Sequence, residues 1–112
     1  MDRGTMINPI DELNIFEALI DEYAEADGYL TGLESFKPAL KALKMKESIQ
    51  PSLGGKEMDA LSSDEYIELC KQIERAQTKY TSLKLKIELA KTKLDVYRTE
   101  QATNRAIEKM TR

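Results

Sequence analysis

Between Ser62 and Met110 the chain contains neither glycine nor proline. That stretch decides most of what the chain can fold into. Roughly 48 residues of helix reach about 70 Å at 1.5 Å per residue. A compact chain of 112 residues has a radius of gyration of only about 13 Å. Such a helix does not fit inside a compact domain, so the sequence predicts an elongated all-α molecule. Its start is marked by Ser62 and Glu65, three apart in the manner of a capping box, with Asp64 in the first turn. Within it Tyr66, Leu69, Ile73, Ala76, Tyr80, Leu83, Ile87, Ala90, Leu94 and Tyr97 recur at alternating spacings of 3 and 4. This is the seam of a coiled coil. The same register then delivers Gln101 and Asn104, while Ala102, Ala106 and Met110 carry a fainter stripe at spacing 4, as after a stutter. The packing partner is expected to end or change near residue 100.

The partner has to come from the first half of the chain. Asn8-Pro9 reads as an N-cap followed by proline at the first helical position, and Asp11 and Glu12 suit the positive end of the dipole. Leu13, Phe16, Ile20 and Tyr23 form one apolar stripe. Gly28 and Gly32 weaken the pattern, so helix 1 is expected over about 9–27, or with a loose continuation. Ser35 and Pro38 suggest a second start, with Phe36, Leu40 and Leu43 as the stripe of a helix over 35–47. Pro51-Ser52 and Gly54-Gly55 make 48–62 an irregular connection with room for one brief turn around Met58 and Leu61. The long helix is expected over 63–110. The predicted fold is one helical domain: two short N-terminal helices, a Gly/Pro loop and one long C-terminal helix. Together they make an elongated hairpin or three-helix bundle with coiled-coil-like packing.

Charge selects among partners for the seam. One flank carries Lys84, Lys91, Arg98, Arg105 and Arg112 at spacing 7, and the other carries Lys79, Lys86 and Lys93. Two copies of such a seam would bring like flanks together, so it calls for an acidic partner. Residues 1–34 supply one, with nine acids from Asp2 to Glu34 against Arg3. The first helix is therefore expected on the seam, within the chain or exchanged from a neighbour, with Glu12 and Glu17 able to meet the lysines. Leu85, Leu89, Val96 and Ile107 lie far from the seam, with Thr92 and Thr103 between them. A two-helix hairpin leaves this stripe in water, which predicts a homo-oligomer or a protein partner.

Composition narrows the chemistry. The chain has no histidine and a single cysteine, Cys70. That removes imidazole bases and ligands, Ser-His and Cys-His pairs, internal disulfides and multi-thiolate zinc sites. Cys70, next to Leu69, reads as a packing residue. Gly54-Gly55-Lys56 lacks both the preceding strand and the spacing of a phosphate-binding loop. No apolar run approaches membrane-spanning length and Met1-Asp2-Arg3-Gly4 has no signal-like character, so a cytoplasmic location is expected. The expectation is a protein that is not an enzyme, with no cofactor, no metal and no small-molecule substrate.

Glu22-x-x-Glu25 and Glu65-x-x-Glu68 are carboxylate pairs at helical spacing. They resemble the Mg²⁺-holding pairs of MazG-type all-α nucleotide pyrophosphohydrolases, although that family's second motif ends in Asp and is nearer to the first. The run Lys91-Thr92-Lys93-Leu94-Asp95-Val96-Tyr97 is similar to a Lys-x-basic-Leu-Asp-x-Tyr run in T-even-type phage recombination mediators, which bind single-stranded DNA. It covers seven residues. The basic strip of the long helix makes the first expectation for function an oligomeric, phage-type accessory protein acting in DNA transactions through Lys84, Lys91, Lys93, Arg98 and Arg105. The alternative is an acidic helical inhibitor or adaptor of a protein target such as a host defence enzyme. A Mg²⁺-dependent pyrophosphohydrolase is the distant third.

Overall fold

The computed structural model describes residues 8–111. Readings that fall on residues 1–7 and on Arg112 lie outside the described residues. The fold is all-α: α1 (Pro9–Glu47), α2 (Leu53–Ser62) and α3 (Asp64–Thr111), with no strand among the described residues.

α1 begins as its residues dictate. The Asn8 side-chain oxygen accepts from the backbone N–H groups of Ile10 and Asp11, at 3.0 and 3.3 Å, and Pro9 occupies the first helical position, where its missing N–H costs nothing. The expected break at residues 28–34 does not occur. One helix of 39 residues replaces the two short ones and contains Pro38. Both Pro38 and Glu34 are exposed, so the Glu34 carbonyl that proline leaves without a donor faces water. What carries the helix across its glycines is packing. Pro9, Glu12, Phe16, Leu19, Tyr23, Ala26, Leu30, Leu33, Lys37, Leu40 and Lys44 are all covered at least in part, and they follow the spacing of a heptad seam without interruption. The stripe of Leu13, Phe16, Ile20 and Tyr23 is not the inward row: Leu13 and Ile20 are 54% and 46% exposed, and Glu12 and Leu19 take the inward positions.

The connection is also more ordered than its composition suggests. Ser52 caps α2 by accepting from the Gly55 N–H at 3.0 Å, so Gly54-Gly55-Lys56 forms a helical first turn in place of open loop. Ser48 ties the segment together: its hydroxyl donates to Asp59 at 2.6 Å and accepts from the Gln50 N–H, and its carbonyl accepts from the Lys56 ammonium. Ala60 of α2 is fully buried. α3 is capped by Ser63 and not by Ser62. The Ser63 hydroxyl accepts from the Tyr66 N–H, while Ser62 donates back to the Met58 carbonyl.

Two compact units are distinguishable among the described residues, one formed by residues 8–23 with 82–111, the other by Ala24–Thr81. In the second, α1, α2 and the first part of α3 enclose Ala26, Leu30, Leu40, Ala60, Leu69 and Ala76. In the first, the start of α1 lies on α3, and Leu83 and Ala90 are the buried residues.

Candidate functional site

On α3 the coverage follows the seam. Leu69, Ala76, Leu83 and Ala90 are buried, and Tyr66, Ile73, Tyr80, Ile87, Leu94 and Tyr97 are half-buried. Gln101 is the last partly covered position, and 102–111 are all exposed. The reason is local to that unit: Pro9 and Leu13, at the start of α1, line a shallow depression with Lys91, Leu94, Tyr97 and Arg98. Pro9 is the first residue of α1.

The basic residues sit at the edges of this pairing. Lys84, Lys91, Arg98 and Arg105 form one exposed row about 31 Å long by helical rise. Arg98 reaches Asp95 on its own helix at 3.4 Å, and Lys84, Lys91 and Arg105 form no ion pair among the described residues. Lys93 stands on the opposite edge with its ammonium 3.6 Å from Glu12. Glu17, the other acid expected to meet the lysines, forms no ion pair among the described residues. The acids of α1 between Asn8 and Tyr23 number five, with no basic residue among them. The described residues of this unit thus hold seven Lys or Arg and nine Asp or Glu, a formal net charge of −2.

In the other unit the most constrained charge is one that no sequence motif marks. The Lys44 ammonium donates to Glu65 at 2.7 Å and to Glu47 at 3.2 Å, and its side chain is 16% exposed. Its pKa is raised, first by the hydrogen bond to Glu65 and then by that to Glu47. The Glu65 carboxyl is lowered, chiefly by Lys44. Lys44 lies in the last turn of α1 and Glu65 in the first turn of α3, so both charges also suit the helix dipoles they occupy. The only sequence signal for this contact is the inward heptad position of Lys44.

These contacts bear on the carboxylate pair as well. Glu65 is bonded to Lys44, and Glu68 accepts from Arg75 at 3.2 Å. Among the described residues no three His, Cys, Asp or Glu side chains come together to hold a metal ion. Cys70 is a half-buried free thiol. No helix of the described residues is long and apolar enough to cross a membrane.

The exposed faces are more distinctive. On α1, Tyr29, Phe36 and Leu43 recur every seven residues and are 60%, 51% and 49% exposed, with Gly32 and Ala39 between them. Tyr29 lines a groove with Gln72, Arg75 and Lys79, and Phe36 lines another with Leu33, Glu68 and Gln72. On α3, Leu85, Leu89, Val96 and Ile107 are likewise exposed. In comparison with known proteins, no family model, curated sequence or solved structure matches this chain.

Proposed function

We propose that this protein is a non-catalytic accessory protein that acts by binding another protein through exposed apolar helix faces. The observation that carries this reading is the Tyr29, Phe36 and Leu43 row: two aromatic rings and a leucine, in line on one helix and about half exposed or more. Large apolar side chains lined up along one exposed helix face are what a partner helix or groove can cover. The adaptor or inhibitor reading therefore moves ahead of the nucleic-acid reading. The excess of acids in the unit that carries the basic row weakens attraction for phosphates. The test compares two variants of the full chain in co-purification from cells that encode it. A specific protein retained by wild type and by Arg98→Gln/Arg105→Gln, and lost with Phe36→Asp, is the expected result. Retention unaffected by Phe36→Asp contradicts it.

A second reading has its own observation, the exposed row of Lys84, Lys91, Arg98 and Arg105. If this row with Lys93 binds single-stranded DNA, affinity falls steeply with salt. The Arg98→Gln/Arg105→Gln variant then lowers that slope by about 1.4, at about 0.7 per lost phosphate contact. Wild-type protein that fails to retain single-stranded DNA at ~50 mM salt rules this reading out.

A further inference from the structure

The face of α3 opposite its seam is itself a second seam. From Leu85 to Met110, stepping by four and three in alternation, every position is uncharged: two leucines, a valine, three threonines, an alanine and a methionine. Leu85, Leu89, Val96 and Met110 are 59%, 57%, 48% and 85% exposed. The Thr92 hydroxyl donates to the Glu88 carbonyl of its own helix at 3.0 Å, which leaves its methyl group for packing. This repeat is the pattern of a two-helix contact. It lies within one unit and is separate from the aromatic row of α1, so it does not depend on the function proposed above.

We infer that a second copy of this chain covers this face, with the two α3 helices antiparallel. The argument is charge complementarity. One margin of the stripe carries Glu88, Asp95 and Lys109, and the other carries Lys86, Lys93 and Glu100, all exposed. In an antiparallel pair each margin meets its own counterpart running the other way. With Leu89 opposite Ala106 of the second copy, Lys93 meets Glu100 and Glu88 meets Lys109, each twice by symmetry. The same register sets Leu85 against Met110, Val96 against Thr99 and Thr92 against Thr103, with large side chains facing small ones at Leu89 and Ala106.

The alternatives are worse. A parallel pair gains Glu88 with Lys93 but places Asp95 against Glu100. Sliding the antiparallel pair by one heptad brings Lys93 onto Lys93 and Asp95 onto Asp95, or in the other direction Glu100 onto Glu100. Glu88, Glu100 and Lys109 form no ion pair among the described residues, so they are available. Lys93 has three ammonium donors, and its contact with Glu12 at 3.6 Å leaves donors for a second carboxylate.

The experiment uses the full chain in a Cys70→Ser background, with two single-cysteine variants, Leu89→Cys and Ala106→Cys. Facing cysteines close a disulfide only when their Cβ atoms come within about 4.5 Å. The expected result is a dimer by sedimentation equilibrium, crosslinking under mild oxidant when the two variants are mixed, and none when either is alone. Leu89→Glu is expected to give a monomer with unchanged helical circular dichroism. A wild-type monomer, a dimer indifferent to Leu89→Glu, or crosslinking of each variant to itself overturns the proposal.

Discussion

Ser63 serves two helices at once. Its N–H and its hydroxyl both donate to the Ala60 carbonyl at the end of α2, and the hydroxyl accepts from the Tyr66 N–H at the start of α3. Ser63→Ala is expected to cost about 1 kcal/mol, the usual worth of an N-cap. Ser62→Ala removes only bonds back to its own helix and is expected to stay within about 0.5 kcal/mol. Urea unfolding of the two variants separates them, and equal effects would contradict this assignment of the cap. The Lys44 and Glu65 pair makes a pH-dependent contribution. The Glu65 carboxyl is held below its ordinary value, so its contribution is complete above the unfolded carboxylate range. It is lost as pH falls through the lowered value. Lys44 is raised, so its contribution is complete below the ordinary lysine value and is lost as pH rises through the raised one. Glu65→Gln is expected to unfold at lower urea than wild type near neutrality, with the gap narrowing on acidification. A gap that does not change with pH would assign the effect to something other than this pair.

At the scale of elements, α3 was legible because its seam is built from Leu, Ile, Ala and Tyr, with lysines and arginines along its flanks from Lys79 onward. α1 was not, and for a physical reason. Its inward row includes Glu12, Lys37 and Lys44, while Leu13, Ile20, Tyr29, Phe36 and Leu43 lie outside it. Apolar residues therefore surround much of the helix, and no single periodic stripe stands out. Gly28, Gly32 and Pro38 lower its intrinsic propensity, but full or partial coverage of eleven inward positions outweighs that cost. The basic row of α3 could be placed on one edge from spacing alone, whereas the charge balance around it required the position of α1. The glycines give an element-level test. A Cβ added at Gly28 meets nothing within 4 Å, so Gly28→Ala is expected to stabilise by about 0.8 kcal/mol. At Gly55 an added Cβ falls 2.9 Å from the Gln50 Cβ, so Gly55→Ala is expected to destabilise α2 despite its better propensity. Thermal melts of opposite sign are the outcome that fits.

Across the whole molecule, burial is unequal between the two units. Ala24–Thr81 holds six of the eight most buried apolar residues, and the other unit holds Leu83 and Ala90. Fewer buried contacts mean opening at lower free energy, so stability is expected to differ along one and the same helix. In α3, amides over 66–80 should exchange with deuterium more slowly than those over 84–101, and those over 102–111 fastest of all. Pairing of two copies adds a second dependence. Association stabilises by mass action whatever segment it covers, so protection over 85–110 should rise with protein concentration. Protection over 66–80 should rise by no more than that, because the second copy does not touch it. Leu89→Glu should remove the concentration dependence and leave the gradient along α3 in place. This separates the two causes: the gradient follows from how α1 and α2 are distributed along α3, the concentration dependence from the outer stripe alone. Uniform protection from residue 66 to residue 101 would contradict the first, and protection over 85–110 that ignores concentration in wild type would contradict the second.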